Sequence, residues 1–502
     1  MSARRLFLVF LPLTLAFRLW LGWAMPVTGD EAYFVDWGRH PDWGFYDHPP
    51  MVGWWLAAQL LLGDALVWLR LSAILQPALL AAAVAWFAPR LSPGLAPERA
   101  WWAALLVLLA PVNVWNVFVT TDTPLIYFSV LAALAWLRAT RDDSRGWYVL
   151  AGLMLCLAVL SKYFAALLGF AFLVHALTLR RRAAFVGLAI AYACTVPALA
   201  LMAWWNAGHC WANVMFNFVN RHEGAGLNVT TLPLYAVTLL YVLTPPALWL
   251  WWKTRGREGL WLLAAVPFAL FALLALAKTV GLHWLLGFVP LALLWLALQL
   301  SETTLAKLGK FFVGFAALHV AAIVAIALLP METWKRSHLY DGIVLTFEAD
   351  RLIERLQPFA RDYAFASDGY SNAATLSFHS AKRFMVFGEG GYHARQDDFL
   401  TDWRKHDGRN ILILTKRRPA SPTGISSGHA EFSAWFHEVE LKTVELRGVA
   451  FTVVLGRGFN YAAYRDDVLA RIKSRYYAIP AWLPRKGCTF CDRHFPDTPC
   501  TR

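Results

Sequence analysis

One stretch decides the fold: Gly29-Asp30-Glu31-Ala32-Tyr33-Phe34, with the nearby Tyr46-Asp47-His48-Pro49-Pro50. It follows directly on a first apolar segment, Leu6 to Met25, and it places five carboxylates in one short loop: Asp30, Glu31, Asp36, Asp42 and Asp47. Charged groups pressed against a membrane are costly and are retained mostly for function. We therefore predict that loop 26–50 is the acidic floor of an active site at the outer face of a membrane.

Composition places the chain among membrane proteins. Hydrophobic residues make up 58% of the 502 residues and charged residues only 16%, against about 25% charged residues in soluble proteins. Repeated apolar runs near bilayer-spanning length predict a polytopic α-helical membrane protein. The formal net charge of +13 does not indicate nucleic-acid binding, because the basic residues cluster at the ends of apolar segments, where they set topology.

Apolar runs and the basic residues between them predict about eleven membrane spans. They are Leu6–Met25, Leu66–Ala88, Trp101–Phe118, Leu125–Leu137, Trp147–Leu160, Phe164–Leu179, Phe185–Trp204, Leu232–Trp252, Leu260–Ala277, Trp284–Leu300 and Phe311–Leu329. With a cytoplasmic N-terminus, the inner connections hold nearly all Arg and Lys residues, as the positive-inside rule requires. The acidic loop, Asp122, Lys162, residues 205–231 and His283 then lie on the same outer face. The first span is interpreted as an anchor that is not cleaved.

The chain from residue 331 onward is different in kind. Short or alternating apolar runs predict strands at Tyr363–Ala366, Arg383–Phe387, Asn410–Leu414 and Val449–Leu455, and helices at Glu348–Phe359 and Gln396–His406. We expect residues 331–502 to form a small extracytoplasmic α/β domain on a mainly parallel sheet. Residues 1–330 then form the transmembrane domain.

Two acidic positions are candidates for proton transfer. Asp30 can cap a helix that continues through Glu31 and residues 32–37, and capping is compatible with catalysis. A carboxylate there could accept the proton of an acceptor hydroxyl. Asp122, in Thr121-Asp122-Thr123-Pro124, is most simply the N-cap of a membrane helix. Its position on the same face as Asp30 supports a functional role as well.

A second set of residues could hold an anion at the interface. Tyr46, Asp47 and His48 precede two prolines, and the phenol and imidazole could bind an anionic headgroup. Asp47 and His48 could instead ligate a metal. Lysine at a membrane boundary ordinarily extends to the headgroups, but cations are scarce on the outer face. The candidates for phosphate contact are therefore Lys162, Arg221, Lys278 and His283.

The six cysteines fall into two groups. Cys156, Cys194 and Cys210 lie in or beside apolar segments and are expected to be inert small hydrophobic residues. Cys488, Cys491 and Cys500 crowd the C-terminus in a spacing that superficially suggests zinc. In an oxidising outer compartment we expect one disulfide among these three, with the third thiol left over. A metal site stays open as the alternative.

Four motifs together resemble one known superfamily. They are Gly-Asp-Glu after the first span, Tyr-Asp-His-Pro-Pro, Thr-Asp-Thr-Pro and Leu-Ser-Lys-Tyr. This combination is similar to that of the GT-C superfamily of integral membrane glycosyltransferases. The nearest branch holds bacterial relatives of the protein O-mannosyltransferases and of the aminoarabinose transferase of lipid A. The resemblance covers roughly Met1 to Leu329, and the part that follows is matched loosely.

The resemblance implies a reaction. A sugar carried on polyprenyl phosphate, typically undecaprenyl phosphate in bacteria, would move to an acceptor outside the cytoplasmic membrane with inversion at the anomeric carbon. Asp30, with Glu31 beside it, would match the catalytic first-loop acid, and Asp122 would match the second acidic site. Asp47-His48 would take the place of a Glu-Lys pair, so that histidine stands where the family has lysine. The cationic phosphate contacts would be Lys162 and Arg221.

The chemistry is consistent with this interpretation. Polyprenyl phosphate leaves as an anion that nearby cations stabilise, and inversion needs one base and no covalent intermediate. The chain shows no nucleotide-binding motif and needs no cofactor, although a divalent ion could bridge the acids and the phosphate. The expected partners are the lipid-linked donor, a lipid, glycan or protein acceptor, and membrane lipids.

Two other classes of protein are alternatives to the enzyme. One is a transporter or flippase of a lipid-linked sugar, which would tend to show internal repeats and charges near the membrane midplane. The other is an assembly partner that binds through its outer domain. The enzyme is favoured because no repeat is visible, the charges gather at one face, and an assembly role leaves the acidic loop unexplained.

Overall fold

The computed structural model describes residues 2–222, 226–380, 382–391, 395–416, 432–498 and 500. The chain divides into two compact units. Unit 1 comprises Met1–Met25, Pro49–Leu201 and Gly224–Leu328, and unit 2 comprises Pro26–His48, Met202–Glu223 and Leu329–Arg502. The acidic loop therefore groups with the C-terminal residues. Because compactness does not show which segments fold or act together, the domains 1–330 and 331–502 stay a prediction.

Unit 1 is helical, with no strand in its described residues. Its helices bury one side against each other and expose leucine, phenylalanine and tryptophan side chains on the other, as lipid-facing helices do. The α-helices up to residue 328 are α1 Ala3–Ala24, α2 Gly29–Arg39, α3 Met51–Leu60, α4 Leu66–Leu69, α5 Leu71–Leu91, α6 Pro97–Leu108, α7 Pro111–Trp115, α8 Asp122–Asp142, α9 Arg145–Ser161, α10 Ala165–Leu179, α11 Arg182–Gly208, α12 Ala212–Phe218, α13 Thr231–Leu243, α14 Pro245–Lys253, α15 Gly259–Leu274, α16 Val289–Gln299 and α17 Glu302–Leu328. Of these, α2 and α12 belong to unit 2, and α11 begins in unit 1 and ends in unit 2.

Several of these helices can cross a membrane. By length and apolar composition, five candidate spans are found in the described residues: α1, the segment Leu66–Leu91, α8, α11 and α17. A sixth results if α13 and α14, which meet at a bend of 94°, form one span. The shorter apolar helices α9, α10, α15 and α16 coincide with four more predicted spans. The chain is a multi-pass membrane protein, while the number eleven and the side of each terminus stay predictions.

Unit 2 is built around a five-stranded sheet. Its strands are β1 Ala364–Ser367, β2 Phe384–Val386, β3 Ile411–Thr415, β4 Phe436–Leu446 and β5 Val449–Phe459, in the spatial order β2-β1-β3-β5-β4. The four predicted strands are confirmed. The prediction of a mainly parallel sheet is wrong: β1 pairs in parallel with β2 and β3, but β5 pairs antiparallel with β3 and β4. The reason is a hairpin turn at Arg447-Gly448, where both residues have positive φ.

Helices cover both faces of this sheet. They are α18 Tyr340–Phe347, α19 Ala349–Leu356, α20 Tyr370–His379, α21 Asp397–Leu400, α22 Tyr461–Tyr464, α23 Ala470–Ile472 and α24 Thr489–His494. On one face, Leu352 of α19 and Leu376 of α20 belong to the same core as Leu412 of β3. On the other, the neighbouring β3 residue Ile413 shares a core with Phe216 of α12. Successive strand residues point to opposite faces, so a strand buried on both sides reads as a continuous apolar run.

Two disulfides fix the C-terminal part of unit 2. Cys491 bonds Cys500, and Cys488 bonds Cys210, which lies 278 residues earlier in the chain. The expectation of one disulfide among the three C-terminal cysteines is met by Cys491–Cys500. The expectations of an inert Cys210 and of a third thiol left over are wrong, because the turn after α11 brings Cys210 against Cys488. Cys156 and Cys194 are free thiols.

Candidate active site

Helix α2 presents Asp30 at its N-terminal end. The side chain of Thr28 accepts a hydrogen bond from the Glu31 N–H, and the Glu31 carboxylate accepts one from the Thr28 N–H at 3.1 Å. This is a capping box, so the expectation of Asp30 as N-cap is wrong by two residues. Glu31 is fully buried, and its carboxylate accepts from both the backbone N–H and the hydroxyl of Thr28. Asp30 lies one position before it in the first turn and is exposed.

The exposed carboxylate of Asp30 has one described partner. The hydroxyl of Tyr370, the first residue of α20, donates to Asp30 Oδ1 at 2.9 Å. The two helices meet closely here: a Cβ atom on Gly29 would lie 1.8 Å from Ser371 Oγ. Glycine at position 29 therefore allows α20 to approach the helix end that carries Asp30.

Asp47 lies in the same unit and is almost fully buried, with 7% of its surface exposed. The Tyr33 hydroxyl donates to Asp47 Oδ1 at 3.2 Å, and the Asn217 side chain donates to the Asp47 carbonyl oxygen at 2.9 Å. Burial raises the pKa of Asp47 from 3.8 to about 7; hydrogen bonds to the carboxylate and the positive charge of Arg221 oppose this, and the negative charge of Asp30 adds to it. The carboxyl group can therefore gain or lose a proton near neutral pH.

His48 and Tyr46 flank Asp47 but face different surroundings. His48 Nε2 lies 3.9 Å from Asp47 Oδ2, which is a Coulombic contact and too long for a hydrogen bond. Tyr46 is fully buried, with its ring against Phe216 and its backbone N–H donating to Gln396 Oε1 at 2.8 Å. Tyr46 thus has a packing role in this structure, and its assignment to donor binding stays a prediction.

A second cluster lies within unit 1. Asp122 is the first residue of α8, one position after the N-cap Thr121, so its expected capping position is wrong by one residue. The ammonium of Lys162 donates to both carboxylate oxygens of Asp122 at 2.9 and 2.8 Å, and both side chains are buried. His283 Nε2 lies 3.8 Å from Asp122 Oδ2 on a side chain that is half exposed. Three predicted site residues thus come together although they are far apart in sequence.

Two predicted site residues remain, Arg221 and Lys278. The guanidinium of Arg221 lies over the Phe216 ring at 5.5 Å and contributes its charge to the surroundings of Asp47. Lys278 is half buried just after α15. The structure brings Asp30, Asp47, His48 and Arg221 into unit 2, and Asp122, Lys162 and His283 into unit 1. That both clusters serve one reaction stays a prediction.

A metal at Asp47 and His48 is one of the alternatives that the sequence leaves open. In the part of the chain that the structure describes, the one group of three or more side chains able to hold a metal ion is Cys210, Cys488, Cys491 and Cys500, and these are paired in disulfides. Asp47 and His48 together supply two ligands, fewer than a catalytic zinc site uses. A divalent ion at Asp47 and His48 stays a prediction.

Sequence reasoning missed Tyr33, Tyr370, Asn217 and Gln396, which hold the acidic loop. All four contact residues more than 160 positions away. No local pattern marks such residues. The one signal in the sequence was the motif Tyr46-Asp47-His48-Pro49-Pro50, which places a phenol beside a carboxylate.

The chain is similar to known proteins in part of its sequence and in its fold. Residues 47–205 match the family described as dolichyl-phosphate-mannose-protein mannosyltransferase. The fold matches the crystal structure of ArnT from Cupriavidus metallidurans bound to undecaprenyl phosphate, with a TM-score of 0.60 over 89% of this chain and 97% of that one. The resemblance to the GT-C membrane glycosyltransferases is confirmed. The apo structure of the same ArnT matches equally well.

The two kinds of likeness carry different weight. At 16–17% sequence identity, the match to ArnT concerns the GT-C fold. The lipid A galacturonosyltransferase RgtD of Rhizobium johnstonii is 31% identical over 192 residues, which are 36% of this chain and 38% of that protein. The aligned segment thus spans under two-fifths of this relative.

Proposed function

We propose that this protein is an inverting glycosyltransferase that moves a sugar from a polyprenyl phosphate to an acceptor at the outer face of the bacterial cytoplasmic membrane. The observation that carries the proposal is the buried Asp122–Lys162 ion pair with His283 beside it. In an apolar helical unit, a buried ion pair is weak evidence of stability and is retained mostly for function. A cation held in this way suits the phosphate of a lipid-linked donor.

The donor phosphate would contact Lys162 and His283. An ammonium group has three N–H donors, so Lys162 can hold Asp122 and still donate to a phosphate oxygen. Protonated His283 would add a second positive charge. Asp122 keeps the ammonium in place, which spares the lysine the entropy loss of ordering when the donor binds. Lys278 and Arg221 are further candidates for the same anion.

The transfer itself needs a base and a stabilised leaving group. The acceptor oxygen attacks the anomeric carbon while the bond from that carbon to the phosphate oxygen breaks on the opposite side, which inverts the configuration. Asp30 takes the proton from the acceptor hydroxyl. The polyprenyl phosphate leaves with the bonding electron pair, and Lys162 and His283 stabilise its charge. The scheme uses no cofactor. Asp47 and His48 would hold a divalent ion if one bound, and it would help to neutralise the charge of the donor phosphate.

The comparisons support the choice of substrates. ArnT binds undecaprenyl phosphate and RgtD acts on lipid A, so we propose an undecaprenyl-phosphate-linked hexose or pentose as donor and lipid A or a related envelope glycan as acceptor. The N-terminus would be cytoplasmic and the C-terminal residues extracytoplasmic.

Reconstitution tests the proposal. The purified protein in liposomes is given undecaprenyl-phosphate sugars and a lipid acceptor fraction, and products are identified by mass spectrometry alongside lipids from cells with and without the protein. Transfer releases free undecaprenyl phosphate and adds one sugar mass to the acceptor. A transporter would move the donor between leaflets and leave its mass unchanged, and that result would overturn the proposal.

A further inference from the structure

The first-loop helix α2 is held by residues that lie more than 300 positions later in the chain. Besides the Tyr370–Asp30 hydrogen bond, the ring of Tyr370 packs edge-on against Tyr33, with ring centres 5.3 Å apart. At the other end of α2, the guanidinium of Arg39 lies over the ring of Phe378 at 5.6 Å. Helix α20 therefore contacts α2 along its length, from the residue before Asp30 to Arg39.

The tyrosine that supports Tyr370 is itself fixed. Tyr33 is buried, and its hydroxyl accepts from the Gln396 N–H at 3.2 Å while donating to Asp47. Gln396 also accepts, through its side chain, from the backbone of Tyr46. These hydrogen bonds hold the ring of Tyr33 in one orientation. Because Tyr370 packs edge-on against that ring, its hydroxyl is held where it donates to Asp30.

From this geometry we propose that Tyr370 is a positioning residue for Asp30. Helix α20 then completes the site that the first loop begins. The inference rests on the proposed role of Asp30 as base. Tyr370 donates to Oδ1, and Oδ2 of this exposed carboxylate can then meet the acceptor hydroxyl. An exposed aspartate in the first turn of a helix would otherwise sample several rotamers, and a misplaced base reduces rate steeply.

A purely structural role for Tyr370 predicts something different. If the contact only joined α20 to α2, loss of the hydroxyl would lower thermal stability and leave the rate and pH dependence of the folded enzyme unchanged. A positioning role predicts the opposite pattern. Loss of the hydroxyl would then lower kcat and leave the melting temperature close to that of wild type.

The test is Tyr370→Phe in the full-length protein, assayed for transfer in liposomes. We expect kcat to fall about 10- to 100-fold, with KM for the donor within twofold of wild type. The matched control is Tyr363→Phe, which removes a hydroxyl that accepts from Arg457 at 3.0 Å in the same unit. Control rates within twofold of wild type are expected.

The results distinguish a failure of the Tyr370 inference from a failure of the proposed function. A folded Tyr370→Phe protein with unchanged kcat overturns the inference. If wild type is active and Asp30→Asn is not, that result leaves the proposed function standing. If wild type itself transfers no sugar, the proposed function fails instead. Should the phenylalanine variant not fold, 4-fluorophenylalanine at position 370 fills nearly the same space without a hydrogen-bond donor. Its kcat should fall at least about tenfold, and an unchanged kcat refutes the proposal.

Discussion

At the scale of single residues, the carboxylates of the acidic loop differ in their burial and in their hydrogen bonds. Glu31 is buried in a capping box, Asp47 is buried beside Tyr33, and Asp30 is exposed with one hydrogen bond from Tyr370. Only an accessible carboxylate can meet an acceptor hydroxyl, so the structure favours Asp30 among the three as the base. The difference is one of environment, because all three carry the same functional group.

Asp30→Asn should abolish sugar transfer and leave folding intact. An amide cannot accept the proton, while its oxygen can still accept the hydrogen bond from Tyr370. We expect the rate to fall by at least about 100-fold, the size typical of a lost general base, with an unchanged melting temperature. Asp362→Asn, at another exposed aspartate of unit 2, is the control. Transfer by Asp30→Asn at the wild-type rate would remove Asp30 from the mechanism.

Lys162 should matter for the donor more than for the acceptor. Lys162→Met leaves Asp122 buried without its ammonium partner, and breaking such a pair costs about 3–5 kcal/mol. The double variant Lys162→Met/Asp122→Asn removes that unpaired charge and should recover thermal stability, yet its KM for the donor should stay at least about tenfold raised. Equal effects on donor and acceptor KM in the stable double variant would argue against a phosphate contact.

Asp47 should make stability depend on pH. Its folded pKa of about 7 lies above the ordinary value of 3.8, so between these values the folded protein binds a proton that the unfolded chain has released. The free energy of unfolding therefore falls as pH rises from about 4 to about 7, by at most about 4 kcal/mol, and is level above that range.

Melting curves of Asp47→Asn can measure this effect. The asparagine keeps an acceptor for the Tyr33 hydroxyl and does not ionise. The variant should melt close to wild type at pH 4 to 5 and several degrees higher at pH 8, whereas Asp362→Asn should follow wild type throughout. A difference that is the same at every pH would show that Asp47 does not titrate in this range.

At the scale of elements, the contact between α2 and α20 depends on a missing side chain. A Cβ atom on Gly29 would lie 1.8 Å from Ser371 Oγ and 3.1 Å from Ser371 Cα. Gly29→Ala must therefore move the two helices apart, and overpacking of this kind costs about 1–3 kcal/mol. Because Asp30 is the next residue, we expect transfer to fall at least about tenfold.

Two companion variants check this explanation. Ser371→Gly in the Gly29→Ala background removes the closest atoms and should restore part of the activity. Gly342→Ala, in α18, meets its nearest atom only at 3.9 Å and should be silent. Full activity in Gly29→Ala alone would show that the helices need not pack so closely.

At the scale of the whole molecule, the Cys210–Cys488 disulfide closes a covalent loop between residues 278 positions apart, much of which belongs to unit 1. Long loops lose the most unfolded-state entropy when closed, and removal of a native disulfide typically costs about 2–5 kcal/mol. We expect Cys488→Ser to lower the melting temperature by several degrees, and reductant to do the same to wild type. Cys194→Ser, at a free thiol, should change little.

Peptide mapping without reductant gives an independent reading of the same pairing. Linked peptides should join Cys210 to Cys488 and Cys491 to Cys500, and alkylation of the unfolded protein should reach only Cys156 and Cys194. A peptide linking Cys488 to Cys491 would contradict the pairing.

The sequence by itself determined the class of protein and much of its local structure. Apolar runs predicted the membrane helices, and the apolar segments at 363–366, 383–387, 410–414 and 449–455 predicted four strands, because burial on one or both sides leaves a local pattern. The strand Phe436–Leu446 was not predicted, because exposed charged residues such as Glu438 and Glu440 interrupt its apolar residues. The carboxylates Asp30 and Asp122 were found because charge is rare in such a chain.

Only the tertiary structure decided which side chains meet. Lys162 reaches Asp122 across 40 residues, Tyr370 reaches Asp30 across 340, and Cys488 reaches Cys210 across 278. A hydrogen bond or disulfide between distant residues imposes no spacing on the chain, so no sequence pattern records it. Whether a carboxylate caps a helix, titrates near pH 7 or faces a substrate depends on what packs around it, and packing is a property of the folded chain.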